Sequence, residues 1–340
     1  MTFDRKTMTA WRVHRYGAFE SVLERERCDV PQLDAKSAII RVAAVGLNFL
    51  DILSIAGKYQ ETSPLPFIPG VEAAGRVVAV APDAPFRIGD KVMTVGKAAC
   101  AEFMPAAPPT TFVLPEKMTF TDAAAMQLTY QTAHVALAHR ARLEAGEFLL
   151  VNAAAGGVGT AAVQVGRSLG ARVIAAAGSP EKLEVCRRCG AEAVIDYTRA
   201  DVVETVKAVT RGRGVDVVFD PVGGSVFEAG TKCVAFEGRI VVIGFASGQI
   251  PSIAVNRILL KNIDIIGLFW GNYSRFDPDR ISRTQSDLYR LWTAGMIEPV
   301  VYRHFAFDAL PEALAALASR RSYGKVVVNG PMAEDDSVEE

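Results

Sequence analysis

The sequence predicts an α/β protein in which a doubly wound, six-stranded parallel sheet is inserted into a second, strand-rich domain. Two observations carry this prediction. First, six short runs in the middle of the chain are apolar throughout, and helical patterns join the first five, as is typical of a parallel sheet covered by helices on both faces. Second, the preceding third of the chain consists of short β runs with Gly and Pro between them. A length of 340 residues is enough for two domains.

The first zone, residues 8–129, is strand-rich and irregular, with Gly and Pro between short β runs. Its predicted strands are SAIIRVAAVG, GVEAAGRVVAV, KVMTV and TTFVLP. One helix interrupts them at NFLDILSIAG, and a longer one, TDAAAMQLTYQTAHVALAHRA, closes the zone with the apolar spacing of a buried helix face. The zone is therefore expected to form a strand-rich domain.

The middle zone, residues 130–269, contains the six apolar strands FLLVNA, ARVIAAA, AEAVID, VDVVFD, GRIVVIGF and IDIIGLF. Six such strands fit the two mononucleotide-binding halves of a Rossmann sheet. After residue 269 the alternation stops, and a helix, a strand, a short helix and a strand follow. The simplest arrangement returns these elements to the first domain, so the predicted domains are residues 1–129 with 270–340, and residues 130–269.

A glycine cluster follows the first strand of the middle zone, in the stretch VNAAAGGVGT. Glycine at Gly156 lets the backbone approach a pyrophosphate, and glycine at Gly159 lets the following helix pack closely on the strand. The helix N-terminus then offers free N–H groups and a partial positive charge to the phosphates. The alternative is a tight β–α turn without a ligand. The predicted dinucleotide contacts in this turn are Ala154, Gly156, Gly157, Val158 and Gly159.

The end of the second strand of this zone indicates which dinucleotide binds. NAD sites carry Asp or Glu about 20 residues past the glycines to accept from the ribose hydroxyls, and no carboxylate stands at this strand end. Ser179 and Lys182 are instead placed to hold a 2′-phosphate, so NADPH is the expected cofactor. Glu181 is a contrary sign, and Ser179 is also suited to be a helix N-cap with Pro180 at the first helical position.

Charge and composition argue against several classes of protein. The chain has 37 basic and 38 acidic residues, a formal net charge of −1, so no basic excess indicates a nucleic-acid surface. No apolar run approaches the ~20 residues of a membrane span, and the opening residues lack a secretory apolar region, so we expect a cytoplasmic protein. The five cysteines do not suggest a disulfide framework, and Cys186 and Cys189 are interpreted as ordinary helix residues rather than metal ligands.

Five stretches, in order along the chain, carry a family resemblance: VAAVGLNFLDILSIAGKY, FIPGVEAAGRVVAV, VNAAAGGVGTAAVQVGRSLGA, GRGVDVVFDPVGG and VVIGFASG. They resemble the medium-chain dehydrogenase/reductase superfamily, and within it the zinc-independent quinone oxidoreductase, or zeta-crystallin-like, branch. The resemblance covers nearly the whole chain. It implies that the strand-rich part is a GroES-like catalytic domain, into which the Rossmann domain is inserted, and that the protein is an oxidoreductase.

The residues that hold zinc in the alcohol dehydrogenases of this superfamily are replaced here. The resemblance puts two ligand positions at Asn48 and Val71, neither of which is a useful zinc ligand, and the segment MQLTYQTA, which matches the third, has no cysteine. Only Cys100 lies in the region of the structural zinc lobe. We therefore expect no metal, and hydride transfer to acceptors that are already electron-poor, namely quinones or alkenes conjugated to a carbonyl.

The resemblance implies that Asn48, Asp51 and Tyr59 line the substrate end of the site. Asn48 offers an amide to a substrate oxygen or to the nicotinamide, and Tyr59 offers a proton to a developing oxyanion. Each residue also has a structural interpretation: Asn48 as a helix N-cap, Asp51 as a first-turn carboxylate that complements the helix dipole, and Tyr59 as a packed loop aromatic. Leu53 stands where some relatives have tyrosine, which predicts a more apolar pocket.

The resemblance implies further cofactor contacts. They are Thr129 and Tyr130 at the nicotinamide ribose, Tyr197 on the adenine side, Gly244, Phe245 and Ala246 beside the nicotinamide half, and Arg320 at the 2′-phosphate. Arg321 follows directly, which leaves the register of the last assignment open.

The leading hypothesis is an NADPH-dependent quinone reductase. The same scaffold and cofactor serve an ene-reductase of α,β-unsaturated carbonyls or acrylate-type acids, for which Lys58 and Arg275 are candidate carboxylate-binding cations. A third hypothesis is a non-catalytic NADPH-binding protein, crystallin-like or RNA-binding as attributed to relatives. The sixth strand, IDIIGLF, is an apolar sheet edge that needs covering, so we expect a homodimer formed through it, as is common in the family.

Overall fold

The structure is a computed structural model and describes residues 5–331. It divides into two compact units. One comprises the described residues up to Leu128 and from Val300 onward, and the other comprises Thr129–Pro299. No helix within the described range is long and apolar enough to cross a membrane.

The first part of the chain forms strands with few helices. In order, these elements are β1 (Thr7–Val13), α1 (Phe19–Val22), β2 (Leu23–Asp29), β3 (Ala38–Leu47), α2 (Phe49–Ile55), β4 (Glu72–Val80), β5 (Lys91–Val95), β6 (Phe103–Ala106), β7 (Thr111–Val113) and α3 (Phe120–His134). β3 is long and buried along nearly its whole length, because its side chains pack into two hydrophobic clusters. It pairs with β4 and, at different positions along the strand, with β6 and with a strand from the last part of the chain.

The middle of the chain alternates strands and helices after a π-helical segment at Val135–Arg140. The elements are β8 (Phe148–Val151), α4 (Gly157–Ser168), β9 (Arg172–Ala177), α5 (Pro180–Arg188), β10 (Ala193–Asp196), α6 (Val202–Val209), β11 (Val215–Asp220), α7 (Gly224–Cys233), β12 (Val234–Val242), α8 (Val255–Lys261) and β13 (Asp264–Gly267). The six strands pair in parallel in the order β10-β9-β8-β11-β12-β13. This is the strand order of a doubly wound Rossmann sheet, which confirms the predicted parallel sheet.

The last part of the chain contains 3₁₀ turns at Trp270–Asn272 and Phe307–Ala309 and the elements α9 (Tyr273–Phe276), α10 (Pro278–Thr293), β14 (Val301–Phe305), α11 (Leu310–Ala318) and β15 (Lys325–Asn329). β15 pairs antiparallel with β3, so strands from before and after the parallel sheet build one sheet in the order β14-β15-β3-β4-β5-β7, while β1 and β2 pair separately. The insertion of the parallel sheet into a strand-rich domain is therefore confirmed.

The second boundary of the inserted unit lies at residue 300, whereas the sequence predicted a return to the first domain at residue 270. α10 accounts for the difference. It buries an apolar stripe that includes Ile281 and Leu288, and the side-chain amide of Gln131 donates to the Ile281 carbonyl at 3.0 Å. Residues 270–299 therefore belong to the unit that holds the parallel sheet.

Candidate functional site

The glycine turn between β8 and α4 has the geometry of a dinucleotide cradle. Ala153 is left-handed, with φ of 48°, and a Cβ at Gly159 would lie 2.3 Å from the Ala153 carbonyl oxygen. Packing within the turn therefore requires glycine at 159. Gly156 is the N-cap residue of α4 and has no side-chain cap. A Cβ there would meet only the Ala153 oxygen, at an ordinary 3.4 Å, so glycine at 156 leaves space in front of the helix N-terminus, as a bound pyrophosphate needs.

The other predicted residues of the turn differ in exposure. Gly157 and Val158 form the first turn of α4 and are half-buried. Ala154 is buried, and its N–H donates to the carbonyl of Ala176 at 3.0 Å. Ala154 therefore anchors the turn to β9.

The predicted 2′-phosphate corner lies at the end of β9. Ser179 is the N-cap of α5, and its hydroxyl accepts from the Lys182 N–H at 3.3 Å. The ring of Tyr197 lies against Gly178, where a Cβ would be 2.5 Å from the tyrosine hydroxyl. The structure therefore brings together Ser179, Lys182 and Tyr197. Arg320 follows α11 in the other unit with φ of 55°, and its contact with the 2′-phosphate stays a prediction.

A buried carboxylate shapes the turn after β11, and the sequence interpretation missed it. Asp220 is fully buried and accepts from the N–H of Val222 at 2.9 Å and of Gly223 at 3.3 Å. Burial raises its pKa. Gly223 has a left-handed φ of 73°, which glycine adopts most easily. The glycines of the stretch DPVGG were therefore the sequence signal for this turn.

The loop after β12 is fixed to that turn. Ala246 donates its N–H to the Pro221 carbonyl at 3.0 Å, and a Cβ at Gly223 would lie 3.1 Å from the ring of Phe245. The predicted residues Gly244, Phe245 and Ala246 therefore lie at the carboxyl ends of β11 and β12, the edge of such sheets at which ligands bind.

Thr129 and Tyr130 lie in α3 and are buried. The Tyr130 hydroxyl donates to the Glu298 carbonyl oxygen at 2.9 Å, so it has a structural hydrogen-bond acceptor inside its own unit. The contact of these two residues with the nicotinamide ribose stays a prediction.

Asn48 lies at the N-cap of α2 with its side chain fully engaged. Its amide nitrogen donates to the Gly46 carbonyl at 2.9 Å and to Glu72 Oε2 at 3.0 Å. Its amide oxygen accepts from Lys325 Nζ at 2.7 Å. An amide nitrogen has two hydrogens, so both are used within the protein. Asn48 is thus a hydrogen-bonding hub, and its amide nitrogen has no hydrogen left for a substrate oxygen in this conformation.

The partners of Asn48 form a buried ion pair that sequence reasoning missed. Lys325 Nζ lies 2.7 Å from Glu72 Oε2, and the two side chains are 3% and 0% exposed. Glu72 Oε1 also accepts from the Leu128 N–H at 2.7 Å. The glutamate within GVEAAG and the lysine within YGKVVV were visible in the sequence, but no local pattern joins residues 253 positions apart.

Asp51 combines burial with an unpartnered oxygen. One carboxylate oxygen, Oδ2, accepts from the Asn48 N–H at 2.7 Å, which supports the predicted first-turn role. The other, Oδ1, is buried without a hydrogen-bond partner. Burial raises the pKa of this carboxyl to about 7, against the opposing effects of the Asn48 N–H and the Lys325 charge. Asp51 can therefore carry a proton at neutral pH.

A cavity of about 690 Å³ lies beside Asp51 in the strand-rich unit. Its polar lining includes Asp29, Ser54 and Ser63 and the cations Arg12, Arg27 and Lys97, and its apolar lining includes Phe67, Ile68 and Val71. Burial is the main cause that raises the pKa of Tyr59, and the nearby Asp51 charge raises it further. Of the two cations considered from the sequence, Lys58 is exposed and absent from this lining, and Arg275 stacks on Phe276 in the other unit.

The side chains at the positions that hold zinc in the related alcohol dehydrogenases do not fit zinc. The Asn48 amide is engaged as described, and Val71 has no donor atom. Cys186 and Cys189 are buried in and beside α5, where burial raises the pKa of both thiols. Within residues 5–331, the group of three side chains spaced for a metal is His14, Glu24 and Glu26, and Glu26 already accepts from Arg12.

Sequence comparisons agree with this architecture. The family model described as "Zinc-binding dehydrogenase" matches residues 157–284, and that described as "Alcohol dehydrogenase GroES-like domain" matches residues 34–111. A quinone oxidoreductase-like protein 2 homolog of Nematostella vectensis is 37% identical over 330 residues, 96% of this chain and 90% of the relative. Quinone oxidoreductase-like protein 2 of Bos taurus is 39% identical over 293 residues, 85% of this chain and 84% of the relative.

Solved structures share the fold over nearly the whole chain. Pseudomonas syringae pv. Tomato DC3000 quinone oxidoreductase has a TM-score of 0.89 at 28% identity, covering 95% of this chain and 99% of that one. Escherichia coli quinone oxidoreductase complexed with NADPH has 0.88 at 28% identity, covering 94% and 99%. The CurK enoyl reductase has 0.86 at 28% identity, covering 96% and 100%.

A Rossmann sheet with a glycine cradle, inserted into a GroES-like domain, defines an oxidoreductase of the medium-chain dehydrogenase/reductase superfamily. The chain belongs to that superfamily, and within it to the quinone oxidoreductase-like family.

Proposed function

We propose that this protein is a zinc-independent, NADPH-dependent reductase that transfers hydride to a quinone. The names of the relatives and the NADPH complex of the Escherichia coli neighbour support the cofactor and the acceptor class. The cradle at Gly156, the absence of a carboxylate at the end of β9 and the Ser179–Lys182 corner support NADPH over NADH. The absence of usable zinc ligands at Asn48 and Val71 supports an acceptor that needs no Lewis acid.

The residues of the chain bind and orient the cofactor. NADPH supplies the hydride when bound. The N–H groups at the start of α4 and the helix dipole hold the pyrophosphate. The Ser179 hydroxyl and the Lys182 ammonium would receive the 2′-phosphate, and the ring of Tyr197 would stack on the adenine.

Asp51 donates the proton that must accompany the hydride. Reduction of a quinone or of a conjugated alkene adds one hydride and one proton, and an effective general acid has a pKa near the working pH. Asp51 meets this condition because burial raises its pKa to about 7 and its Oδ1 has no protein partner. Asp51 lines the cavity, and its unpartnered carboxylate oxygen is the observation that carries the proposal. Tyr59 is the weaker donor, because burial moves its pKa further above neutrality.

An ene-reductase of acrylate-type acids is the second candidate, favoured by the enoyl reductase neighbour and by the cations of the cavity. Arg12, Arg27 and Lys97 line the same cavity as Asp51. A carboxylate substrate requires such a cation beside its binding position. We therefore propose these three residues for the anion-binding role, beside the candidates Lys58 and Arg275 from the sequence.

NADPH oxidation with two acceptor sets separates the candidates. One set holds ortho- and para-quinones, and the other holds acrylate, alkenals and neutral enones, with product identification to exclude redox cycling. We expect hydroquinone as the main product. Saturation of a C=C bond with no quinone turnover would show an ene-reductase instead. A preference for acrylate would then support binding of its carboxylate by Arg12, Arg27 or Lys97. NADPH binding without oxidation by any acceptor would leave the crystallin-like or RNA-binding alternative and reject catalysis.

The protein is proposed to act as a homodimer joined through β13. This strand pairs with β12, and within the described residues no other strand pairs with it. α8, directly before it, buries none of its residues and exposes Leu259 and Leu260 by 73% and 77%. An apolar edge of this kind is normally covered, and a second copy of the same edge is the occupant that continues the sheet. The cytoplasmic location stays a prediction.

A further inference from the structure

We propose that Lys325 and Glu72 are positioning residues: their buried ion pair holds Asn48 and, through the Asn48 backbone N–H, one oxygen of the Asp51 carboxyl, so that the other stays without a partner. The inference rests on the proposed role of Asp51 as proton donor and adds two residues that act on it from β15 and β4. Neither side chain lines the cavity, so both act through Asn48 and Asp51.

Stability alone does not account for this ion pair. Lys325 and Glu72 are almost completely buried, 2.7 Å apart. Removing two charges from water is costly, and apolar residues of similar volume often make a protein equally or more stable. This pair can do what apolar side chains in the same places could not, namely fix the direction of a polar neighbour.

The pair fixes Asn48 in one orientation. Lys325 donates to the amide oxygen at 2.7 Å, and Glu72 accepts from the amide nitrogen at 3.0 Å. A flipped amide would place its nitrogen against the ammonium and its oxygen against the carboxylate. The Leu128 N–H holds the other oxygen of Glu72 at 2.7 Å. The hub therefore joins β15, β4, α3 and the start of α2.

Asn48 transmits this constraint to Asp51. The Asn48 N–H donates to Asp51 Oδ2 at 2.7 Å, so the position of the Asn48 backbone decides which oxygen of Asp51 is bound. With Oδ2 held, Oδ1 is the oxygen left without a partner. A shift of Asn48 would release Oδ2 and remove the distinction between the two oxygens.

The pair also balances the charge around Asp51. The Lys325 ammonium favours the ionised carboxyl and the Glu72 carboxylate opposes it, so together they leave burial as the main cause of the raised pKa. The other titratable groups beside Asp51 are Tyr59 and Cys100, and burial raises the pKa of both. The charged side chains elsewhere on the cavity lining are Arg12, Arg27, Asp29 and Lys97.

Removing Glu72 or removing Lys325 should shift the pKa of Asp51 in opposite directions. In Glu72→Gln the lysine charge remains, and we expect the pKa of Asp51 to fall by about one unit. In Lys325→Met the glutamate charge remains, and the same pKa rises by about one unit. Each pKa of Asp51 is obtained from melting temperatures measured between pH 5 and pH 9. The melting temperature of the variant is compared with that of the same variant carrying Asp51→Asn, and the pH dependence of the difference reports the pKa. This reading needs no turnover, so it stays valid if every acceptor fails.

The pH dependence of kcat/KM is the second reading where an acceptor is turned over. Activity should fall as the pH rises above the pKa of Asp51. This alkaline limb of the profile should move to lower pH in Glu72→Gln and to higher pH in Lys325→Met. The double variant Lys325→Met/Glu72→Gln has no charge at either position of the pair, so its limb should return toward that of the native protein. Its kcat should stay about tenfold low with KM little changed, since neither residue touches the substrate.

The control is Glu147→Gln, which breaks the Arg239–Glu147 pair, 2.7 Å apart, in the other unit. It should move neither reading. Should Lys325→Met fail to fold, Glu72→Gln and the double variant still decide the matter. Shifts in the same direction from both sides of the pair, or no shift at all, would overturn the inference and reduce Lys325 and Glu72 to structural residues.

Discussion

The carboxyl of Asp51 makes the stability of the protein depend on pH. Its pKa rises from the usual value near 4 to about 7, and burial is the main cause. Below about pH 4 the folded and unfolded states are both protonated, so the group costs nothing. As pH rises from about 4 to 7 the unfolded state loses its proton first, so stability is lost over that interval and stays low above it.

Asp51→Asn should remove this pH-dependent loss. An asparagine keeps an acceptor for the Asn48 N–H and carries no charge. The variant should match the native protein near pH 4.5 and be more stable at pH 8, by at most about 4 kcal/mol, since three pKa units correspond to about 1.4 kcal/mol each. Urea unfolding at pH 4.5, 6 and 8 measures the difference.

The matched control is Asp29→Asn, an exposed carboxylate on the lining of the same cavity. It should leave the pH dependence of the unfolding free energy as it is in the native protein. A stability gain of Asp51→Asn that is constant from pH 4.5 to pH 8 would show that the carboxyl is ionised throughout, and the raised pKa would be wrong.

Residues that act through their neighbours in sequence were predictable, and residues that act across the fold were not. The N-cap interpretation of Asn48, which stood beside its proposed substrate role, followed from the run of helix-forming residues after it, and the first-turn position of Asp51 followed from the same run. Lys325, 277 residues from Asn48, reaches it only because β15 pairs with β3. That pairing has no signature in a single sequence, so the ion pair behind Asn48 could not be predicted.

At the scale of elements, the β8–α4 turn separates what the fold requires from what a ligand requires. Gly159 packs against the Ala153 carbonyl, whereas Gly156 has space for a side chain. Its φ of −75° and ψ of 174° are also open to any residue. A glycine that neither packing nor backbone conformation demands indicates that something else approaches the backbone there.

Gly156→Ala should therefore weaken NADPH binding without unfolding the protein. Its methyl group occupies the space in which the pyrophosphate approaches the N-terminus of α4, and we expect the Kd to rise at least about tenfold, or about 1.4 kcal/mol. The melting temperature should stay close to native. Quenching of tryptophan fluorescence by NADPH and calorimetry measure the two quantities.

Gly159→Ala is the comparison variant, because its Cβ would lie 2.3 Å from a backbone oxygen. It should lower the melting temperature as well as the affinity. Native NADPH affinity in Gly156→Ala would reject this turn as the pyrophosphate site, and a lowered melting temperature there would attribute the glycine to folding instead.

Elements with strong local patterns were predicted, and their assignment to a domain was harder. The six parallel strands are buried apolar runs, so hydrophobicity alone identified them. α10 is amphipathic and gives no indication of the surface it covers. Its stripe with Ile281 and Leu288 was predicted to return to the first domain, but it packs in the unit of the parallel sheet.

At the scale of the molecule, strongly exposed apolar side chains occur together in sequence at Ile250, Val255, Leu259 and Leu260. Each of these side chains is at least 73% exposed, and they lie just before β13, the outer strand of the parallel sheet. Exposed apolar side chains that precede a strand without a second partner strand favour association. The sequence predicted the sheet edge from its apolar residues, whereas the exposure of the preceding helix appears only in the structure.

The native protein should have twice the 36.5 kDa mass of one chain in light scattering at micromolar concentration. The double variant Leu259→Lys/Leu260→Lys should be monomeric, because two like charges on each copy would face each other across the joined edges and lose their hydration there. Ile88→Lys replaces a 61% exposed apolar residue of the other unit and should remain dimeric. A monomeric native protein, or a double variant that keeps the double mass, would remove β13 and α8 as the contact between copies.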